Sequence, residues 1–364
     1  MVQFSFFAIA RSFVRLEKIK EKIMKIKLFT LVVALGASAF NVNAWDYEGH
    51  HAVNELALAS LPADFGIQLT PALKNRIAFL AGEPDRWRNV SDLPLKHVNG
   101  PDHYFDLEDL ALCGLTPETL PPLRYDFVAD IALARTAHLE KFPAIDPTKD
   151  ADHTRELDGF LPWAITEYYE KLKSDFATLK ALQQYGGTPT EIANAQADCV
   201  YVMGVMGHFV GDGSQPLHTT KHFNGWVGEN PKGYTVKTTF HGWIDGGYFK
   251  KTGGIKVESL VGKIQPAVKI SNADDPDGMF RDVVAYLVEQ NKYVEPLYEM
   301  EKNGQLTGEG DKGMEALPFL DGQLVKAGQM LGNIWLTAWL DAPEDSYLER
   351  QLQQRSAAAT GNQN

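Results

Sequence analysis

Cysteine is scarce. Cys113 and Cys199 are the only two in 364 residues. Zinc ribbons need sets of thiolates at fixed spacings, so structural metal sites of that type are excluded. An exported chain could pair the two cysteines; alternatively Cys199 is a buried thiol within a helical run, and the sequence gives no distance between them. Positive charge is also short. The formal net charge is −12, and residues 1–44 hold seven Lys/Arg against two Asp/Glu. Without those residues, 28 basic side chains face 45 acidic ones, a net of −17. That balance argues against a nonspecific duplex-DNA binder, which needs a broad basic face. It leaves phosphate esters open as substrates, because bound metal ions can make one cleft locally positive. The apolar run 28–40 is too short for a membrane span. No internal repeat and no clear linker is present, and a hydrophobic fraction of 44% excludes wholesale disorder.

Lys25-Ile26-Lys27, the apolar run after it and Asn41-Val42-Asn43-Ala44 form a basic region, a hydrophobic region and a small-residue cleavage site. That is the pattern of a secretory signal. Met24 is then the expected start, residues 1–23 an over-extension, and cleavage after Ala44 makes Trp45 the mature terminus. The expected location is secreted or periplasmic. The expected divisions are 1–44 as over-extended start plus signal peptide, 45–345 as one catalytic domain, and 346–364 as a C-terminal tail, frayed from residue 356.

The remaining pattern is mainly α. Thr70-Pro71 supplies an N-cap and a first-turn proline for a helix reaching residue 81. A loop is expected over 83–88 and irregular structure over 89–122. Helical runs are expected at 124–141, 160–184, 190–212, 278–302 and 318–340, where apolar residues recur at three and four, as in Ile192, Ala195, Cys199, Val202 and Met206. Residues 223–240 read as loop or short hairpin, and a short helix starts at His241.

The densest chemistry lies in Gly207-His208-Phe209-Val210-Gly211-Asp212-Gly213-Ser214-Gln215-Pro216-Leu217-His218. His208 and Asp212, four apart, share one helix face. Gly213 and Pro216 end the helix and return His218 towards it. His241 and Asp245 repeat the spacing, and Asp85, His103 and His50 add donors elsewhere. These nitrogens and oxygens suit zinc. They group into Asp85, His103, His208 and Asp212; His218, His241 and Asp245; and His50 with the Trp45 backbone and a shared oxygen of Asp212. The second group, with three protein ligands, has the open position of a catalytic zinc site.

The same residues resemble a family signature, that of the single-strand-specific zinc nucleases of the mung-bean-nuclease type, which share a helical fold with zinc-dependent phospholipases C. The elements are W-x4-H at Trp45 and His50, D-x2-R at Asp85 and Arg88, H-[FY]-x-D at His103, Tyr104 and Asp106, H-F-x-G-D-x3-P-L-H from His208 to His218, and H-x3-D at His241 and Asp245. The resemblance implies a single multi-helix domain with long loops around a trinuclear metal cleft. It implies three zinc ions held by Trp45, His50, Asp85, His103, His208, Asp212, His218, His241 and Asp245. It also implies an exported phosphodiester hydrolase that cleaves single-stranded DNA or RNA to 5′-phosphate products, with 3′-nucleotidase action open, through attack of a metal-activated hydroxide on phosphorus. Asp85 would orient or deprotonate the water, Arg88 would clamp the phosphate, Tyr104 would stack under a base and Asp106 would accept from its edge. No stable protein partner is expected, and the chain is expected to act as a monomer.

Within that superfamily the closing Asp245, where phospholipases use Glu, and the long gap from His218 to His241 favour the nuclease branch. The stretch Gly225-Trp226-Val227-Gly228 departs from the nuclease pattern. There Trp226, with Phe223, Tyr234 and Phe240 near it, offers aromatics for a lipid or choline head group, so a zinc phospholipase C is the alternative. A non-enzymatic exported zinc-binding protein is the second alternative.

Overall fold

A computed structural model describes residues 45–270 and 275–361. All of them fall in one compact unit, and it is all-helical: among the described residues there are two isolated β-bridges and no strand. Residues 1–44, with the expected signal segment, lie outside the described residues. No described helix is long and apolar enough to cross a membrane.

Five helices frame the site. They are α1 (Tyr47–Ser60), α2 (Pro71–Leu80), α6 (Leu161–Tyr185), α7 (Pro189–Ser214) and α14 (Leu317–Asp341). Their ends follow from local chemistry. The Thr70 side chain caps α2, with Pro71 in its first turn. A reciprocal Thr188–Glu191 box caps α7, with Pro189 behind it. Gly186 closes α6 in the left-handed conformation. α7 is the central element, packed by α6, α14, α2 and α1. From Cys199 to Ser214 every residue of α7 except Tyr201 is buried. Gly207 makes this possible: a methyl there would sit 1.6 Å from Asn54 Oδ1 on α1. Asn54 in turn donates from Nδ2 to the carbonyls of Ile77 at 2.8 Å and Gly204 at 3.0 Å, linking three helices.

Several expectations are corrected. Residues 83–88 form a helix, α3 (Glu83–Asn89), not a loop: Pro84 is tolerated in the first turn, where acids Glu83 and Asp85 and last-turn Arg86 and Arg88 complement the helix dipole. The irregular region contains α4 (Leu93–Asn99) and several 3₁₀ turns. The run 278–302 breaks at Lys292 and Tyr293 into α11 (Gly278–Asn291) and α12 (Val294–Lys302). Residues set down as a tail carry α15 (Ser346–Gly361), which packs on α6, buries Leu352 and pairs Arg355 with Glu191. Both cysteines are free thiols.

The short elements α8 (Phe240–Gly242) and α9 (Tyr248–Lys251) flank a π-helical turn, Trp243–Gly247. The expected short helix at His241 is therefore partly π-helical, a form common where side chains are re-aimed at functional sites.

Candidate metal centre

Eight of the nine expected ligand residues converge as side chains, and the ninth is adjacent. Three groups of buried residues could each hold a metal ion: His50, His208 and Asp212; Asp85, His103 and His208; and His218, His241 and Asp245. Within each group the ligand atoms lie within 4.8 Å of one another. α1 carries His50 and α3 carries Asp85. The 3₁₀ turns Pro101–His103 and Pro216–Thr219 carry His103 and His218, and α7 carries His208 and Asp212.

Hydrogen bonds fix which nitrogen each ring presents. His208 Nδ1 donates to Ala81 O at 2.7 Å, and His218 Nδ1 to His103 O at 2.5 Å. Each therefore turns an Nε2 lone pair inward. His208 Nε2 lies 2.9 Å from His103 Nδ1, and His218 Nε2 lies 2.9 Å from His241 Nε2. With His103 and His241 in the tautomers that also present a lone pair, each of these nitrogen pairs is close enough to meet at one cation. His50 stacks on His208 with ring centroids 3.7 Å apart, because Gly211 leaves it room: a methyl at Gly211 would lie 2.9 Å from His50 Nδ1.

Asp212 stands between groups. Its Oδ2 faces His103 Nδ1 at 3.0 Å and His208 Nε2 at 3.4 Å, while Oδ1 faces His50 Nε2 at 3.4 Å. One carboxylate thus presents an oxygen to each side. His208 belongs to two of the groups but has a single inward lone pair, so it can serve one ion only. Assigning it to Asp85, His103 and Asp212 leaves His50 with the other oxygen of Asp212 and short of a donor. The side chain of Trp45, the ninth expected ligand residue, lies against the Asp212 segment of α7. Its indole Nε1 donates to Gly211 O at 3.0 Å and Ser214 Oγ at 3.1 Å, and the Asp46 amide donates to Asp245 O at 3.1 Å. Trp45 is therefore tied to the Asp212 segment and Asp46 to the Asp245 segment.

The electrostatics suit a cation. Burial pushes Asp212 and Asp245 well above the usual carboxylate range, and burial, more than neighbouring charge, holds His208 and His218 down at about 3. Neutral imidazoles and carboxylates penalised for lack of counter-charge are what a divalent ion relieves. Buried donor atoms without a hydrogen-bond partner include Asp212 Oδ1, Asp245 Oδ2 and both ring nitrogens of His50. Such orphans are costly unless something binds them. The donor set, nitrogen and oxygen with no thiolate, fits zinc.

Asp85 also pairs with Arg88, Nη2 to Oδ1 at 2.7 Å, and burial raises its carboxyl against that pull. Tyr104 is half-buried, with its hydroxyl on Leu157 O at 3.4 Å. Asp106 lines a cavity of about 320 Å³ with Asp158, Arg135 and Arg155, and its Oδ1 and the Arg135 Nε are buried without partners. His222 belongs to none of the three groups; its Nδ1 accepts from the Val227 amide at 3.1 Å and its ring stacks on Trp226.

The sequence reading missed supporting residues. Gln215 Nε2 donates to Asp245 Oδ1 at 2.7 Å, and the His241 amide donates to Asn224 Oδ1 at 3.2 Å. Gln215 lay inside the longest motif as an unassigned position, and nothing in the sequence pointed to Asn224. No protein-family model matches the chain, and no curated protein matches it.

Proposed function

We propose that this chain is an exported zinc-dependent phosphodiester hydrolase of the single-strand-specific nuclease type, acting on single-stranded DNA or RNA and leaving 5′-phosphates. One observation carries the proposal: Asp212 presents separate oxygens to two groups of buried histidines, with the His218–His241–Asp245 group adjoining at 4.0 Å from His218 Nδ1 to Asp212 Oδ1. Zinc bound by these residues would supply Lewis acidity towards phosphoryl oxygens and a lowered pKa for water.

The chain's own side chains supply the rest. Asp85, with a carboxyl raised by burial, accepts a proton from the attacking water. Arg88 holds Asp85 in place, and its guanidinium would clamp a phosphate oxygen. Asp106 lines a cavity with Asp158, Arg135 and Arg155, where its carboxylate would accept from a base edge. The phospholipase alternative is weakened at Trp226: His222 covers one face at 3.9 Å and Tyr234 and Tyr298 crowd it at 4.7 and 5.3 Å, so no open cage for a quaternary ammonium is left there.

Zinc-loaded protein should degrade heat-denatured DNA and RNA, and EDTA should abolish the activity. Phosphocholine release from lecithin with nucleic acids untouched would move the assignment to the phospholipase. Inertness towards both, with zinc bound, would leave a non-enzymatic zinc-binding protein.

A further inference from the structure

Phe223 is an aromatic side chain that the nine-ligand signature does not include. It lies five residues beyond His218, and its ring sits 5.8 Å from the His241 ring, nearly edge-on. It is 37% exposed, while the other aromatics of its loop are committed. Trp226 is stacked on His222 and packed by Tyr234 and Tyr298, and Phe240 is buried against Tyr298 at 4.8 Å.

The backbone carrying Phe223 is held on both sides. Before it, Tyr298 donates its hydroxyl to His222 O. After it, Asn224 Oδ1 accepts from the His241 amide, and the Trp226 amide donates to Thr235 O at 2.8 Å. An exposed aromatic on a fastened loop loses little entropy when a flat partner settles on it. A phenyl ring has no hydrogen-bonding group, so it selects for a planar or apolar face and does not read base identity.

We propose that Phe223 is the stacking platform for a nucleobase of the single strand, beside the phosphate engaged at the His218–His241–Asp245 group. This rests on the nuclease reading above and adds a sequence-tolerant contact distinct from Tyr104 and Asp106. It predicts that an oligonucleotide is preferred over an abasic one of equal length and charge.

The test compares steady-state cleavage of oligothymidylate and of a matching abasic oligomer by zinc-loaded wild type, Phe223→Ala, Phe223→Leu and Phe223→Trp. Stacking on one ring is worth roughly five- to a hundred-fold in affinity. The Ala and Leu variants should therefore lose about ten-fold of the KM preference for oligothymidylate, with kcat within about two-fold, and Trp should restore it. Leu keeps the bulk without the flat face, so it separates stacking from packing if Ala unfolds. Wild-type cleavage of oligothymidylate with an unaltered KM preference in the Leu variant would overturn the platform and leave the nuclease reading intact. No cleavage of any oligonucleotide, with or without hydrolysis of phosphatidylcholine vesicles, would sink both.

Discussion

Gln215 ties the two Asp-bearing segments together: its Nε2 donates to Asp245 Oδ1 at 2.7 Å while its Oε1 accepts from the Leu217 amide at 2.6 Å. Its own amide donates to Asp212 O at 3.0 Å. Asp245 is thereby held with Oδ2 turned to His241 Nε2 at 3.2 Å. Such outer contacts typically contribute 10–100-fold to metal affinity. Gln215→Ala should weaken zinc binding at the His218–His241–Asp245 group by roughly that factor, read by competition with a chromophoric chelator. Equal affinity in the variant would show that Asp245 needs no support.

Gly207 sets the spacing of α7 against α1. A methyl there meets Asn54 Oδ1, and Asn54 cannot retreat without releasing the Ile77 and Gly204 carbonyls. Gly207→Ala should destabilise the fold by about 1–3 kcal/mol, the range for overpacking a tight core. The urea midpoint should fall at constant slope.

Asp158 gives a pH dependence. Burial, followed by the nearby Asp109 charge, raises its carboxyl from 3.8 to about 6. Arg135, Lys221 and Cys113 also face it and partly oppose the shift. The folded state therefore holds this proton more tightly than the unfolded one. The stabilising contribution is complete below about pH 4 and is lost as pH rises through 6. Asp158→Asn mimics the protonated form, so its stability relative to wild type should rise between pH 4 and 7, by up to about 3 kcal/mol. Parallel melting temperatures of the two proteins across that window would refute the linkage.

Metal content is the direct check on the centre. Native mass spectrometry of the zinc-loaded chain should give three ions per protein. Stripping them should lower the melting temperature, and free zinc at a hundred times its dissociation constant should restore about 2.7 kcal/mol at the His218–His241–Asp245 group, which does not share Asp212. For a chain beginning at Trp45, one added residue ahead of it should reduce the count to two if the amino terminus is a ligand. An unchanged count would remove Trp45 from the set.

Much of this architecture was readable in the sequence, for identifiable reasons. α2, α6, α7 and α14 carry strong 3.6-residue periodicity, α2 also a visible Thr70-Pro71 start, and the structure holds them within two residues of the expected bounds. His208, Asp212, His241 and Asp245 were legible because four-residue His/Asp spacing survives here in both helical settings, π-helical at Asp245 included, while His50, Asp85, His103 and His218 were gathered in by the motif resemblance. What stayed hidden was tertiary. α3 was obscured because Pro84 reads as a breaker unless its first-turn position is known. α15 was obscured by low complexity, although Leu352 anchors it. Gln215 and Asn224 act through contacts made only after distant segments meet, 30 and 17 residues apart in the chain.

The placement of Asp212 has a consequence for how the centre fills and empties. With one oxygen on the His50 side and the other on the His103 side, this single anion is shared property. An ion arriving on either flank would change the charge its neighbour meets, so occupancy would be a collective state, not a tally of separate pockets. Asparagine, almost the same shape, has one oxygen to give, and the sharing could not survive the exchange.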